Sequence, residues 1–116
     1  MFVQAVLIEL PAFERRRADY LDEGGFARLQ MVLMADPLAG DLIEGTGGLR
    51  KLRFADSGRG KGKRGGLRVI YYYWAGGPEF WLFTVYDKGE MDDLTPRQRA
   101  AFRQLAKAEL RLRRDS

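Results

Sequence analysis

Residues 48–55 (GLRKLRFA), 67–74 (LRVIYYYW) and 79–90 (EFWLFTVYDKGE) are three strand-like segments in which cations interleave with apolar and aromatic residues. Side chains alternate between the faces of a strand, so Leu52 and Phe54 share one side while Lys51 and Arg53 share the other. A face lined with cations in the middle of a small sheet is a poor way to build a core. It is a good way to hold a polyanion. Whether Arg68 joins the Lys51 and Arg53 side is a matter of register, which alternation alone leaves open.

Between the first two segments, Asp56 to Gly66 holds five glycines and four cations, which predicts a mobile hairpin tip. Ala75-Gly-Gly-Pro78 reads as the next turn. Upstream, the apolar run Phe2 to Ile8 suits a short buried strand. Pro11 opens a helix to Leu21 with Phe13, Arg17, Tyr20 and Leu21 at helical spacing and Glu14, Arg15, Arg16 and Asp19 on its charged face. Asp22 caps a second helix reaching Ala35, with a core stripe of Phe26, Leu29, Val32 and Leu33, and Asp36-Pro37 ends it. Downstream, Thr95-Pro-Arg-Gln98 is a capping box with proline at the first helical position, followed by a stripe of Ala101, Leu105, Ala108 and Leu112. The expected class is α+β, with helices packed on one face of an antiparallel sheet.

The 116 residues suffice for one domain spanning 1–116, and 46% hydrophobic content excludes wholesale disorder. The formal charge of +4 is modest. Its distribution says more: Arg50 to Arg68 contains eight cations and a single acid, Asp56, while acids gather in the N-terminal third and at Asp87–Asp93. Such polarity favours an anionic partner on one side. Without cysteine there is neither a disulfide framework nor a thiolate metal site, and without histidine the commonest general base and zinc ligand are gone. No run approaches the ~20 apolar residues of a membrane span and no signal pattern opens the chain, so a cytoplasmic protein with no membrane partner is expected.

The runs GLRKLRF (48–54), GGLRVIYYY (65–73) and FWLFTVYDKGEMDDLT (80–95) together resemble the RelE/HigB superfamily of toxins from type II toxin–antitoxin pairs, and more closely its HigB branch. That resemblance implies a small RelE-like domain. Its antiparallel-rich twisted sheet has about four to five strands, with an N-terminal helical hairpin and a C-terminal helix packed on it. It implies a ribosome-dependent endoribonuclease that cuts mRNA in the ribosomal A site, contacts ribosomal RNA, and is neutralised by a helix-turn-helix antitoxin. It also supplies the missing register. Arg68 matches the arginine of an R-x-x-Y strand, Lys51 and Arg53 the basic pair on the strand before, and Lys88 a basic position just after the last long strand. These four are the expected catalytic residues.

The chemistry so implied uses the substrate's own nucleophile. A ribose 2′-oxygen attacks the adjacent phosphate, leaving a cyclic phosphate and a 5′-hydroxyl. Charge builds on phosphoryl oxygens, and preorganised guanidinium groups oppose it without a metal or other cofactor. For proton transfer the candidates are Lys88, Tyr86, Asp87 and Glu90; a lysine crowded by Arg53 and Arg68 could take a proton. Arg50, Arg59, Lys61, Lys63 and Arg64 are expected to grip RNA through charge, and Tyr72, Trp74 or Tyr86 to stack on a base. The 56–66 loop is no phosphate loop, because it lacks GxxxxGK[ST] and leads into no helix. The basic tail Arg111 to Arg114 suits ribosomal RNA or the helix C-terminus. Rival readings are a non-catalytic RNA-binding module, a magnesium nuclease built on the Asp87–Asp93 acids, and an interaction protein with an acidic partner.

Overall fold

The computed structural model describes residues 4–55 and 66–115. Five strands and three helices follow in the order β1 (Val6–Glu9), α1 (Pro11–Tyr20), α2 (Glu23–Ala35), β2 (Asp41–Leu42), β3 (Arg50–Phe54), β4 (Leu67–Trp74), β5 (Glu79–Asp87) and α3 (Pro96–Asp115). The strands form one sheet in the order β1-β5-β4-β3-β2. All neighbours are antiparallel except β1, which runs parallel to β5 at the edge. The helices arise as their punctuation dictates. Pro11 takes the first helical position of α1, the Asp22 carboxylate accepts the Gly25 N–H at 2.7 Å, and Asp36-Pro37 stops α2.

The helices do not share one face of the sheet, as alternation and sequence order had suggested. They cover both. Phe13 of α1 and Leu29 and Leu33 of α2 pack with Leu52, Phe54, Leu67, Val69, Tyr71, Phe80, Leu82 and Val85. On the opposite face Ile70, Trp81, Phe83 and Tyr86 pack under Ala106, with Phe102 and Leu110 alongside. Strands β4 and β5 are apolar on both sides for this reason, their long runs of buried residues matching a central, two-sided position. A bulge between Ile70 and Tyr71 on one side and Leu82 and Thr84 on the other leaves Phe83 without a partner in the ladder. Phe83 therefore stays on the α3 side, where it meets Phe102 edge-on with ring centroids 5.5 Å apart.

Of the two expected stripes, that of α2 holds except at one residue and that of α3 is rotated. Leu29 and Leu33 are buried and Phe26 packs against their cluster as expected, while Val32 is exposed. In α3 the expected core line of Ala101, Leu105, Ala108 and Leu112 faces solvent, with Leu105 44% and Leu112 62% exposed. The buried line is Phe102, Ala106 and Leu110. Both lines satisfy helical spacing, so periodicity alone could not choose between them. The capping box itself forms in both directions: Gln98 N–H donates to Thr95 Oγ1 at 3.1 Å and Thr95 N–H to Gln98 Oε1 at 2.8 Å. Thr95→Ala should therefore cost about 1 kcal/mol in urea unfolding, and Thr95→Ser almost nothing.

Candidate RNA-binding groove

Register decides what the cations can do. Arg53 lies directly opposite Arg68, and Arg68 directly opposite Tyr86; one row along, Lys51 lies opposite Ile70. Directly opposed residues share a face. Lys51, Arg53, Arg68 and Tyr86 therefore sit together on the α3 side, at the end of the sheet where α3 begins. Two arginines in direct opposition cost stability, so this row is not a packing convenience. Beside it a hollow of about 260 Å³ is lined by Lys51 and Arg53 from β3, Asp41 to Glu44 around β2, Asp93, and Arg99 from the first turns of α3. A second hollow shares Glu44 and Arg99 with it and continues past Pro96 and Arg103 along the helix.

The hollow sets three cations, Lys51, Arg53 and Arg99, beside three acids, Asp41, Glu44 and Asp93, and Asp93 ties two of the cations together. Asp93 pairs with Lys51 at 3.4 Å and with Arg99 at 3.5 Å, and accepts the Leu94 N–H at 2.8 Å. Burial works against its charge, but the Leu94 N–H and the two cations outweigh burial and hold the carboxyl below the usual range. Tyr86 is fully buried, and its hydroxyl makes no hydrogen bond among the described residues. Burial raises its pKa, the Asp93 carboxylate raises it further, and Arg68 pulls it back only in part. At neutral pH this phenol keeps its proton. It can donate a hydrogen bond or a proton but cannot serve as a phenolate base.

Residues 31–116 match the family described as the RelE toxin of the RelE/RelB toxin–antitoxin system. The chain belongs to the RelE toxin family. Its fold is also similar to that of a free E. coli RelE toxin carrying two arginine-to-alanine substitutions, with 10% identity and a TM-score of 0.55 over 78% of this chain and 90% of that one. At that identity the likeness speaks for the fold alone.

In this RelE family member, Lys51, Arg53 and Arg68 share one face of the sheet, and the settings of four other expected residues differ. Arg50 points away from them: alternation puts it on the opposite side of β3, where it donates to the carbonyls of Gly40 at 2.8 Å and Leu38 at 3.3 Å. It braces the α2–β2 connection instead of facing the groove. Tyr86 exposes neither ring nor hydroxyl, so it offers no face on which a base could stack. Tyr72 is half-buried and stacked on Trp81 at 4.9 Å. Lys88 follows β5, its N–H donating to the Gly66 carbonyl at 3.3 Å and its side chain in solvent. That is not the crowded setting a lysine base requires. Arg59, Lys61, Lys63 and Arg64, with the hairpin tip expected around them, lie outside the described residues.

The acids from Asp87 to Asp93 separate. Glu90 bonds Arg16 at 2.9 Å and the Tyr20 hydroxyl, Asp87 accepts the Gly89 N–H, and Asp93 enters the groove. Among the described residues no three metal-ligating side chains gather. Arg113 of the basic tail turns inward, bonding Glu79 at 2.8 Å and Glu109 at 2.6 Å. Arg99 is hidden from sequence reading because the line of Ala101, Leu105, Ala108 and Leu112 is one residue out of phase with the buried one. Once Phe102 and Ala106 mark the buried side, Arg99 falls on it by helical spacing.

Proposed function

We propose that this chain is a metal-independent, ribosome-dependent mRNA endoribonuclease of the HigB-like branch, the toxin of a type II pair acting in the cytoplasm. The observation that carries the reading is the Arg53–Arg68–Tyr86 row beside a groove walled by Lys51 and Arg99. A phosphodiester laid along that row meets guanidinium forks where charge grows as the 2′-oxygen attacks. The 2′-hydroxyl proton leaves to solvent or to a ribosomal group. The departing 5′-oxygen takes a proton, which the neutral Tyr86 phenol can supply once RNA binding uncovers its buried hydroxyl. No covalent enzyme intermediate is needed, which suits a chain lacking histidine and cysteine.

In the free protein Asp93 stands in the place a phosphate would occupy, between Lys51 and Arg99. RNA must displace it. Asp93→Asn is therefore expected to tighten binding to single-stranded RNA several-fold. It should also steepen the dependence of log K on log salt by up to about 1.4 units, because two cations become free for phosphates at ~0.7 each. Fluorescence anisotropy at several salt concentrations measures both.

The function itself is tested by expression without a partner and by a translating extract. Growth arrest together with mRNA cut to cyclic-phosphate and 5′-hydroxyl ends supports the reading. A specific observation favours one alternative: Arg68 is only 6% exposed, as a structural arginine would be. RNA binding without any cleavage in that extract would select a non-catalytic RNA-binding module.

A further inference from the structure

We propose that the outer face of α3 is a docking seam for an acidic amphipathic helix of a partner protein. Ala101, Leu105, Ala108 and Leu112 are all exposed, and they are spaced four, three and four residues apart. That is the alternation of a coiled-coil seam, narrower than the broad apolar face by which a helix packs on a sheet or lies on a membrane. The other side of α3 already fulfils the packing role through Phe102, Ala106 and Leu110. The two leucines thus belong to neither core cluster, and the part of them left in water carries no benefit to the isolated chain.

Charge selects the occupant. At 100° per residue, Arg97 and Arg111 flank the seam on its solvent side, with Lys107 just beyond; Asp115 is the one acid in line with them, so the flank stays cationic by three to one. A second copy of this chain would bring a flank of the same net positive charge. An approaching helix with apolar residues in the same four–three rhythm and glutamates or aspartates beside them would instead gain at each flank. The seam lies on the opposite side of α3 from the buried line to which Arg99 belongs, while its cationic flank borders Ala100 and Gln104 of the second hollow. Occupancy of the seam does not depend on the nuclease reading.

The test uses the full chain and a synthetic 21-residue peptide of three heptads, with leucine at both seam positions and glutamate at the flanks. Titration followed by circular dichroism should show binding with a gain in helicity. Leu105→Glu with Leu112→Glu should weaken it at least about tenfold, and Ala108→Glu alone should weaken it measurably, with thermal melting of the chain unchanged. A lysine-flanked peptide and a scrambled acidic one should both bind at least about tenfold more weakly. Equal binding of the scrambled peptide, or no effect of the leucine substitutions, would overturn the seam. So would leucine-dependent self-association in sedimentation, or leucine-dependent binding to vesicles of anionic phosphatidylserine and phosphatidylcholine in preference to the peptide.

Discussion

Arg68→Met is expected to lower the rate of mRNA cleavage about 100–1,000-fold while leaving the domain folded. Burial dictates the choice of methionine. At 6% exposure the aliphatic stem of Arg68 is packed between neighbours, so alanine would open a hole and confuse catalysis with stability. Methionine keeps most of that volume and removes only the guanidinium. What is lost is a fork held rigidly opposite Arg53 and beside the Tyr86 hydroxyl, with no flexible side chain left to order when the transition state forms. Arg68→Lys separates charge from geometry. An ammonium keeps the charge but cannot meet two phosphoryl oxygens in one plane, so activity should fall between wild type and Arg68→Met. Cleavage is followed in a translating extract and folding by thermal melting. An Arg68→Met variant that melts normally and cuts normally would make Arg68 a structural residue and remove the centre of the proposed site.

Local signals in the sequence were read well wherever one residue type has one physical use. Pro11, Asp22, Asp36-Pro37 and the Thr95–Gln98 box mark helix ends because few other side chains satisfy or block a terminal amide, and each end falls there. Alternation paired Lys51 with Arg53 correctly, since period two permits nothing else. Three-dimensional relations were less legible. The sheet has helices on both faces because β4 and β5 are apolar on both sides, a pattern visible in LRVIYYYW and FWLFTV but easily taken for one thick core. The phase of α3 was ambiguous between two apolar lines, and the wrong choice hid Arg99 while presenting Leu105 and Leu112 as core. Asp93 looked like a helix-terminus acid. Only tertiary placement shows it pinned by Lys51 from a strand 42 residues away.

Trp81→Ala is expected to cost about 3–5 kcal/mol and, beyond that, to loosen α3 as a unit. Trp81 sits in the middle of β5 with no exposed surface. Tyr72 stacks on it at 4.9 Å, Trp74 lies tilted at 6.2 Å, and the Arg113 guanidinium covers it at 4.7 Å. Its indole N–H donates to Glu79 at 2.8 Å, the same carboxylate that Arg113 bonds. Burial alone would raise the Glu79 carboxyl, but the indole and Arg113 together bring it below its ordinary value. One residue therefore joins the C-terminal turns of α3 to the sheet. Removing it leaves Phe102, Ala106 and Leu110, with the Arg113–Glu79 pair, to hold twenty residues of helix. Leu29→Ala on the opposite face supplies the control, since it should cost about 2–5 kcal/mol without touching that junction. Hydrogen exchange under native conditions distinguishes the two: amides of α3 should lose protection selectively in Trp81→Ala and only with the rest of the domain in Leu29→Ala. Because α3 carries Arg99 into the groove, RNA affinity should also fall in the first variant and hold in the second at temperatures where both are folded. Uniform loss of protection in both variants would mean that sheet and helix open as one cooperative block, and that the groove has no separately movable wall.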